Sequence, residues 1–206
     1  MGDEVQININ PTPQPLSNKT AVFDPQTIRV LAGDLVYWRN NDEKYVHQPK
    51  PVGGADDAWV KSPISVKEGD QPGTSNTLSF NSGTTTKGVP YVCAKHSGET
   101  GTIIAYNLIN INSKAGAKPT DPQVGFAPGK LQVKVNECFI WINNDVNPHW
   151  PAPSVDQKTA WLQQQVEPGK NSAVVFIGQP TSGDLIYVCA LHPNETGKLN
   201  VANPSA

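Results

Sequence analysis

The sequence predicts an all-β protein made of two successive β-sandwich domains. Three observations point there. Nineteen Pro and seventeen Gly are spread through 206 residues, short β-branched and aromatic runs lie between them, and most of the chain is written twice. Pro and Gly at this density mark turns and break helices. The length suits one large domain or two of ordinary size, each able to bury its own core.

The repeat runs nearly end to end. "ININ" stands at 7 to 10 and again at 109 to 112. "FDPQTIRV" from 23 aligns with "FAPGKLQV" from 126, and "LVYWRNND" from 35 with "CFIWINND" from 138. His47 and Trp59 match His149 and Trp161, Phe80 matches Phe176, and "YVCAKHSGET" from 91 matches "YVCALHPNET" from 187. The offset drifts because the first copy carries small insertions, one before His47 and others between Trp59 and Phe80. The segment "SKAGAKPTDPQ" at 113 to 123 has a linker's composition, but its counterpart "PTPQPLSNKT" lies inside the first copy, so it reads as a loop of the second. The boundary is expected at Tyr106 and Asn107, giving domains 1–106 and 107–206. There "GTIIAY" runs directly into "NLININ".

Within each copy the elements follow in order. "VQINI", "TIRVLAGDLVYW" and "KLQVKVNECFIW" alternate apolar and polar residues, as half-buried strands do. Gly33 and Asp34, and Asn136 and Glu137, supply the turns inside the two longer segments. "NTLSF" and "SAVVFI" precede the apolar runs "VPYVC" and "DLIYVC". Seven or so short strands in about 100 residues suit a sandwich. The tryptophans 38, 59, 141 and 161 sit at matched places beside strands and are expected in or beside the cores.

Charge is balanced, with 16 Lys plus Arg against 18 Asp plus Glu. No basic run or aromatic-basic interleaving suggests nucleic acid. No apolar run approaches the roughly 20 residues of a membrane helix. The N-terminus lacks the basic-then-apolar pattern of an export signal, so the chain is expected to be cytosolic or to have lost such a signal.

Metal-competent side chains are few: three Cys, four His and one Met, which is Met1. His96 and His192 each stand three residues after a cysteine, Cys93 and Cys189. His47 and His149 each stand just past an Asn-Asn-Asp that ends a strand. A site of two imidazoles and one thiolate suits copper, because these donors serve both Cu(I) and Cu(II) with little rearrangement. No histidine is left over. The third cysteine, Cys138, aligns with Leu35 and is expected as a small buried apolar residue.

Each half resembles a cupredoxin, the mononuclear blue copper fold. The family's pattern before its first ligand is close to GDxVxFxNxDxxxH, present here as "GDLVYWRNNDEKYVH" and "NECFIWINNDVNPH". Its second pattern, a Tyr-rich strand followed by Cys, His, Met and Gly, appears as "YVCAKHSGETG" and "YVCALHPNETG". The resemblance implies two tandem Greek-key β-sandwich domains and two type 1 copper ions. The implied ligands are His47, Cys93 and His96, then His149, Cys189 and His192. Where the family has an axial Met, the chain has Glu99 and Glu195. Those carboxylates either approach copper or turn outward toward Lys95 and Lys198, with Thr100 and Thr196 capping the turn. The family's Asn after the first histidine is replaced by Gln48, which could stand in for it, and by Trp150, which could not in the same way. The second site is accordingly expected to be the more enclosed, by Trp150, Pro148, Pro151 and Pro153. The implied role is a soluble electron carrier, not an enzyme, working with a redox partner protein in a periplasmic or extracellular setting. Copper buffering is the alternative, and a red-copper-like enzyme the more distant one.

Overall fold

Apolar alternation in the first strand sets the architecture: in β1 (Glu4–Leu16) the side chains of Ile7 and Ile9 point inward and are fully buried. The computed structural model describes residues 2–53, 59–116, 122–154, 161–162, 164–180 and 183–203. The chain separates into two compact units, Met1–Ala105 and Tyr106–Ala206, and the described residues hold strands and turns without a helix. Each unit is a β-sandwich.

In the first unit β1 pairs antiparallel with β2 (Lys19–Asp24) and parallel with β4 (Leu35–Asn40). The short β6 (Gly73–Thr74) and β7 (Leu78–Ser79) continue from β4. The facing sheet holds β5 (Pro49–Pro51), β8 (Val89–Cys93) and the first part of β9 (Thr100–Ser113), with β3 (Thr27–Leu31) also on β9. Both sheets contribute to one core, including Ile9, Phe23, Val30, Trp38, Tyr91 and Ile103.

The second unit repeats the plan. The later part of β9 pairs with β10 (Val124–Ala127) and in parallel with β12 (Phe139–Asn143). The other sheet runs β11 (Lys130–Lys134), β15 (Thr196–Ala202), β14 (Leu185–Cys189), β13 (Pro151–Pro153). Lys114 N donates to Gln123 O at 2.8 Å, so the ends of the linker-like segment close a hairpin of the second unit; residues 117–121 lie outside the described residues. Cys138 is fully buried and its thiol is free. Burial, then the charge of Glu137, pushes that thiol's pKa up.

One aromatic cluster recurs in each core. Trp38 stacks on Trp59 at 6.1 Å and meets Tyr91 edge-on at 5.6 Å; Trp141 stacks on Trp161 at 5.8 Å and meets Tyr187 at 5.6 Å. The tyrosine also explains a glycine. Gly101 pairs with Tyr91 and Gly197 with Tyr187 across the strands that carry the CxxHxxET loops. A Cβ on Gly101 would stand 2.3 Å from the Tyr91 ring, and one on Gly197 2.2 Å from the Tyr187 ring. The ring therefore occupies the space a side chain would take, and it locks the strand leaving each loop to the strand entering it.

Gly101→Ala and Gly197→Ala should each destabilise their unit by roughly 1–3 kcal/mol through overpacking of a closed core, read as a lower urea midpoint with an unchanged slope.

Candidate metal centre

The loop that delivers the first histidine hangs from one buried amide. Asn40, the last residue of β4, donates through Nδ2 to Tyr45 O at 3.0 Å and Ser65 O at 2.9 Å, and its Oδ1 accepts from Asp42 N at 2.9 Å. In the second unit Asn143 donates to Asn147 O at 2.7 Å and Val166 O at 2.9 Å and accepts from Asp145 N at 2.9 Å. The carbonyl it holds is two residues before the histidine in both copies, so the extra residue before His47 is absorbed inside the turn. His47 then forms a bridge with Ile64 and His149 with Val166.

The other residues come from one tight loop between β8 and β9, or β14 and β15. Cys93 N donates to Glu99 O at 2.9 Å and Glu99 N to His96 O at 3.0 Å. Cys189 N and Glu195 N make the same bonds to Glu195 O and His192 O, each at 2.9 Å. The structure thus gathers His47, Cys93, His96 and Glu99 in one group and His149, Cys189, His192 and Glu195 in another. In each, the ligand-capable atoms lie within 4.8 Å of one another.

The facing atoms have the spacing a single ion requires. Cys93 Sγ is 3.8 Å from His47 Nδ1 and 3.7 Å from His96 Nδ1, and Cys189 Sγ is 3.5 Å from His192 Nδ1. Donors bound to one ion at ~2.0–2.3 Å stand about 3.5–3.8 Å apart. Each sulfur also accepts a backbone N–H, from Gln48 at 3.4 Å and from Trp150 at 3.3 Å.

The outward orientation of the glutamates is overturned: Glu99 is 1% exposed and Glu195 2%. Glu99 Oε2 is 2.7 Å from His47 Nδ1, and Glu195 Oε2 is 3.0 Å from His149 Nδ1 and 3.4 Å from His192 Nδ1. Glu99 Oε1 accepts from Thr20 N at 3.0 Å, Thr20 Oγ1 at 2.9 Å and Ala21 N at 2.9 Å. Lys198 instead stands 3.8 Å from Asp184. Burial makes this the natural outcome, because an isolated carboxylate in the core is costly unless donors surround it.

Two expectations about the surroundings also change. Neither the Gln48 nor the Trp150 side chain braces its cysteine. Gln48 Nε2 donates to Val60 O at 3.0 Å and Trp150 Nε1 to Leu162 O at 2.9 Å, so the two unlike residues do one job at one repeat position. The second site is not the more enclosed: the His192 side chain is 42% exposed and that of His96 12%. Tyr45 lies edge-on over His96 at 5.7 Å, where the second copy has Asn147.

Thr20, Ala21, Asn40, Asn143 and Tyr45 are among the contributors that sequence reasoning missed. Only the two asparagines had a signal, in the repeated Asn-Asn-Asp.

No protein-family model and no curated protein matches the chain. Among solved structures it is similar to a purple cupredoxin from Nitrosopumilus maritimus, at 21% identity over 46% of this chain and 98% of that one, TM-score 0.36. It is also similar to the reduced Cu(I) form of a mutant amicyanin, at 23% identity over 47% of this chain and 81% of that one, TM-score 0.32. A copper nitrite reductase from Nitrosomonas europaea matches at 17% identity over all of this chain and 96% of its own, TM-score 0.34. All of these TM-scores lie below 0.5, so the functional reading rests on the side chains.

Burial works against charge on His47, but Cys93 and Glu99 raise its pKa to about 9. Burial likewise opposes charge on His149, and Cys189, Asp145 and Glu195 raise it to about 9. Glu99 is lowered, since His47 and Thr20 outweigh the burial that would raise it. A histidine whose folded pKa lies above its unfolded value of about 6.5 contributes stability that is complete below that value and lost as pH rises through about 9. Urea unfolding of the metal-free chain should therefore weaken between roughly pH 6 and 9.5, by on the order of a few kcal/mol. The double variant His47→Asn, His149→Asn should flatten that loss.

Proposed function

We propose that the chain is an electron-transfer protein with one mononuclear, type 1-like copper in each unit. His47, Cys93 and His96 hold the first ion and His149, Cys189 and His192 the second, with Glu99 and Glu195 as fourth donors. The observation that carries this is the convergence, twice over, of two imidazoles, one thiol and one buried carboxylate on a single point. Copper bound there supplies one-electron exchange between Cu(II) and Cu(I).

The chain's own residues hold the donors still. Gln48 N and Trp150 N donate to the sulfurs, and the backbone bonds across each CxxHxxE loop keep cysteine, histidine and glutamate in one arrangement. A donor set that need not move when the electron arrives favours fast exchange. The glutamate oxygen is hard and anionic and favours Cu(II), so these sites should sit at lower potential than a thioether-capped one. His192 is the more open route for a redox partner protein; His96 lies under Tyr45. All four histidines of the chain are in the two groups, which leaves none to build a further histidine centre of the kind an oxidase or reductase would need. The cupredoxin resemblance favours a periplasmic or extracellular setting. Among the described residues no helix is long and apolar enough to cross a membrane.

A second reading, copper buffering, draws on the same buried carboxylates, which would retain Cu(II) and resist reduction. Titration with Cu(II) should saturate at two ions per chain and develop a strong thiolate-to-copper absorption in the visible. Cys93→Ser should remove about half of it, while Cys138→Ser should leave it unchanged. Reversible voltammetry with fast electrode exchange supports the carrier, and tight Cu(II) retention without reversible reduction supports buffering. Glu99→Met should raise the first site's potential, measured against the unaltered second site in the same chain.

A further inference from the structure

The two copies present the same four donors but treat the far nitrogen of the first histidine differently. In the second copy His149 Nε2 lies 3.1 Å from Asp145 Oδ2. Ser113 Oγ donates to Asp145 Oδ1, and Asn147 N and Nδ2 stand 3.2 and 3.3 Å from Oδ2. An ionised carboxylate only accepts, so Nε2 carries a proton and donates it to Asp145, while Nδ1 faces Glu195 at 3.0 Å and is the nitrogen a bound ion would take. The His149 ring is thereby held in orientation from both nitrogens.

In the first copy the same relay is broken. Asp42 Oδ2 stands 3.6 Å from His47 Nε2, beyond hydrogen-bond range, and both atoms are buried without a hydrogen-bond partner. Asp42 Oδ1 is taken by Lys44 N at 2.8 Å and Tyr45 N at 3.2 Å. Two sequence differences account for it. The histidine follows the aspartate by five residues in the first copy and by four in the second. The repeat position of Ser113 is held by Pro11, which pairs with Ala21 as Ser113 pairs with Val124 and has no hydroxyl to offer.

We propose that Asp145, oriented by Ser113, is a positioning residue that sets the potential of the second copper below that of the first. This rests on the copper reading above. A carboxylate hydrogen-bonded to the outer nitrogen makes an imidazole a stronger, more anionic donor and holds it in place. Such a donor stabilises Cu(II) more than Cu(I). The inner donors are the same in both sites, so this difference is not cancelled by them.

The test uses the full chain with copper in both sites. Voltammetry should give two potentials, assigned by the single-site variants Cys93→Ser and Cys189→Ser, with the second site the lower. Asp145→Asn should shift the second site's preference for Cu(II) over Cu(I) by about tenfold, which is ~59 mV upward for one electron, and leave the first site unmoved. Ser113→Ala should shift it in the same direction by less, and serves if Asp145→Asn does not fold. In the diamagnetic Cu(I) form, the Nε2 proton of His149 should resonate downfield and move upfield in Asp145→Asn. A residue that only stabilised the turn would move neither the potential nor this proton. Copper bound at both sites with equal potentials, a second site higher than the first, or a potential unchanged in both variants overturns the assignment. Failure of either site to develop the thiolate-to-copper absorption overturns the copper reading itself.

Discussion

The 2.7 Å contact between His47 Nδ1 and Glu99 Oε2 is the interaction on which the first site depends. It places a carboxylate in a pocket where an unpartnered charge would be prohibitive. The opposite oxygen of Glu99 is satisfied by Thr20 and Ala21 at the start of β2, so the strand next to the site and the ligand loop are tied through one side chain. The imidazole is in turn held by a turn that hangs from Asn40. Removing the glutamate would therefore strand three donors on β2 as well as a proton on His47. In the metal-free protein, histidine and glutamate neutralise each other. A cation held by His47, Cys93, His96 and Glu99 would take over that role from the proton on Nδ1, so the pocket suits a buried carboxylate without a metal and with one.

Geometry around that contact is kept by parts that recur at the same repeat positions. The buried amide of Asn40 and Asn143 spans the histidine turn. The Tyr91–Gly101 and Tyr187–Gly197 pairs fasten the two strands that flank the cysteine loop. Both devices are backbone-directed: the amide grips carbonyls, and the ring lies where a glycine leaves room. Ligand placement is thereby insulated from the residues between the ligands, so "AK" and "SG" in one loop and "AL" and "PN" in the other sit on the same frame.

The sandwich and the eight residues that the structure gathers into two groups were legible in the sequence because they obey two strong periodicities. One is the two-residue alternation of half-buried strands, and the other is the repeat itself, which singled out all four histidines. Part of what stayed hidden acts through groups that every residue carries. Thr20 N and Ala21 N hold Glu99 from 79 and 78 positions away, and a backbone N–H leaves no mark in composition. The direction of the glutamates was undecided for the same reason: whether a carboxylate turns in or out depends on whether donors await it inside. Tyr45 escaped because its counterpart in the second copy is Asn147, so the repeat marks no aromatic there. Gln48 and Trp150 misled because their side-chain chemistry differs while the hydrogen bond each donates, to Val60 O or Leu162 O, does not.

Counting charge gives the carboxylate a consequence beyond its hardness as a donor. A metal-bound thiolate and a carboxylate together carry two negative charges, and neutral imidazoles add none. With a divalent ion the buried group is neutral; with a monovalent ion it carries one net negative charge, away from water. Placing that charge in a pocket where Glu99 and Glu195 are almost wholly buried is unfavourable, whereas a thioether in the same place would leave the monovalent state neutral and the divalent state positive. A glutamate in place of a thioether therefore reverses which oxidation state burial favours. Its effect should be largest where water reaches the site least. His96 is shielded by Tyr45 and His192 is not, so the burial penalty on the reduced state weighs more on the first site. The carboxylate relay behind His149 weighs on the second. The two effects oppose each other, and a second site lower than the first requires the hydrogen bond from His149 to Asp145 to outweigh the difference in burial.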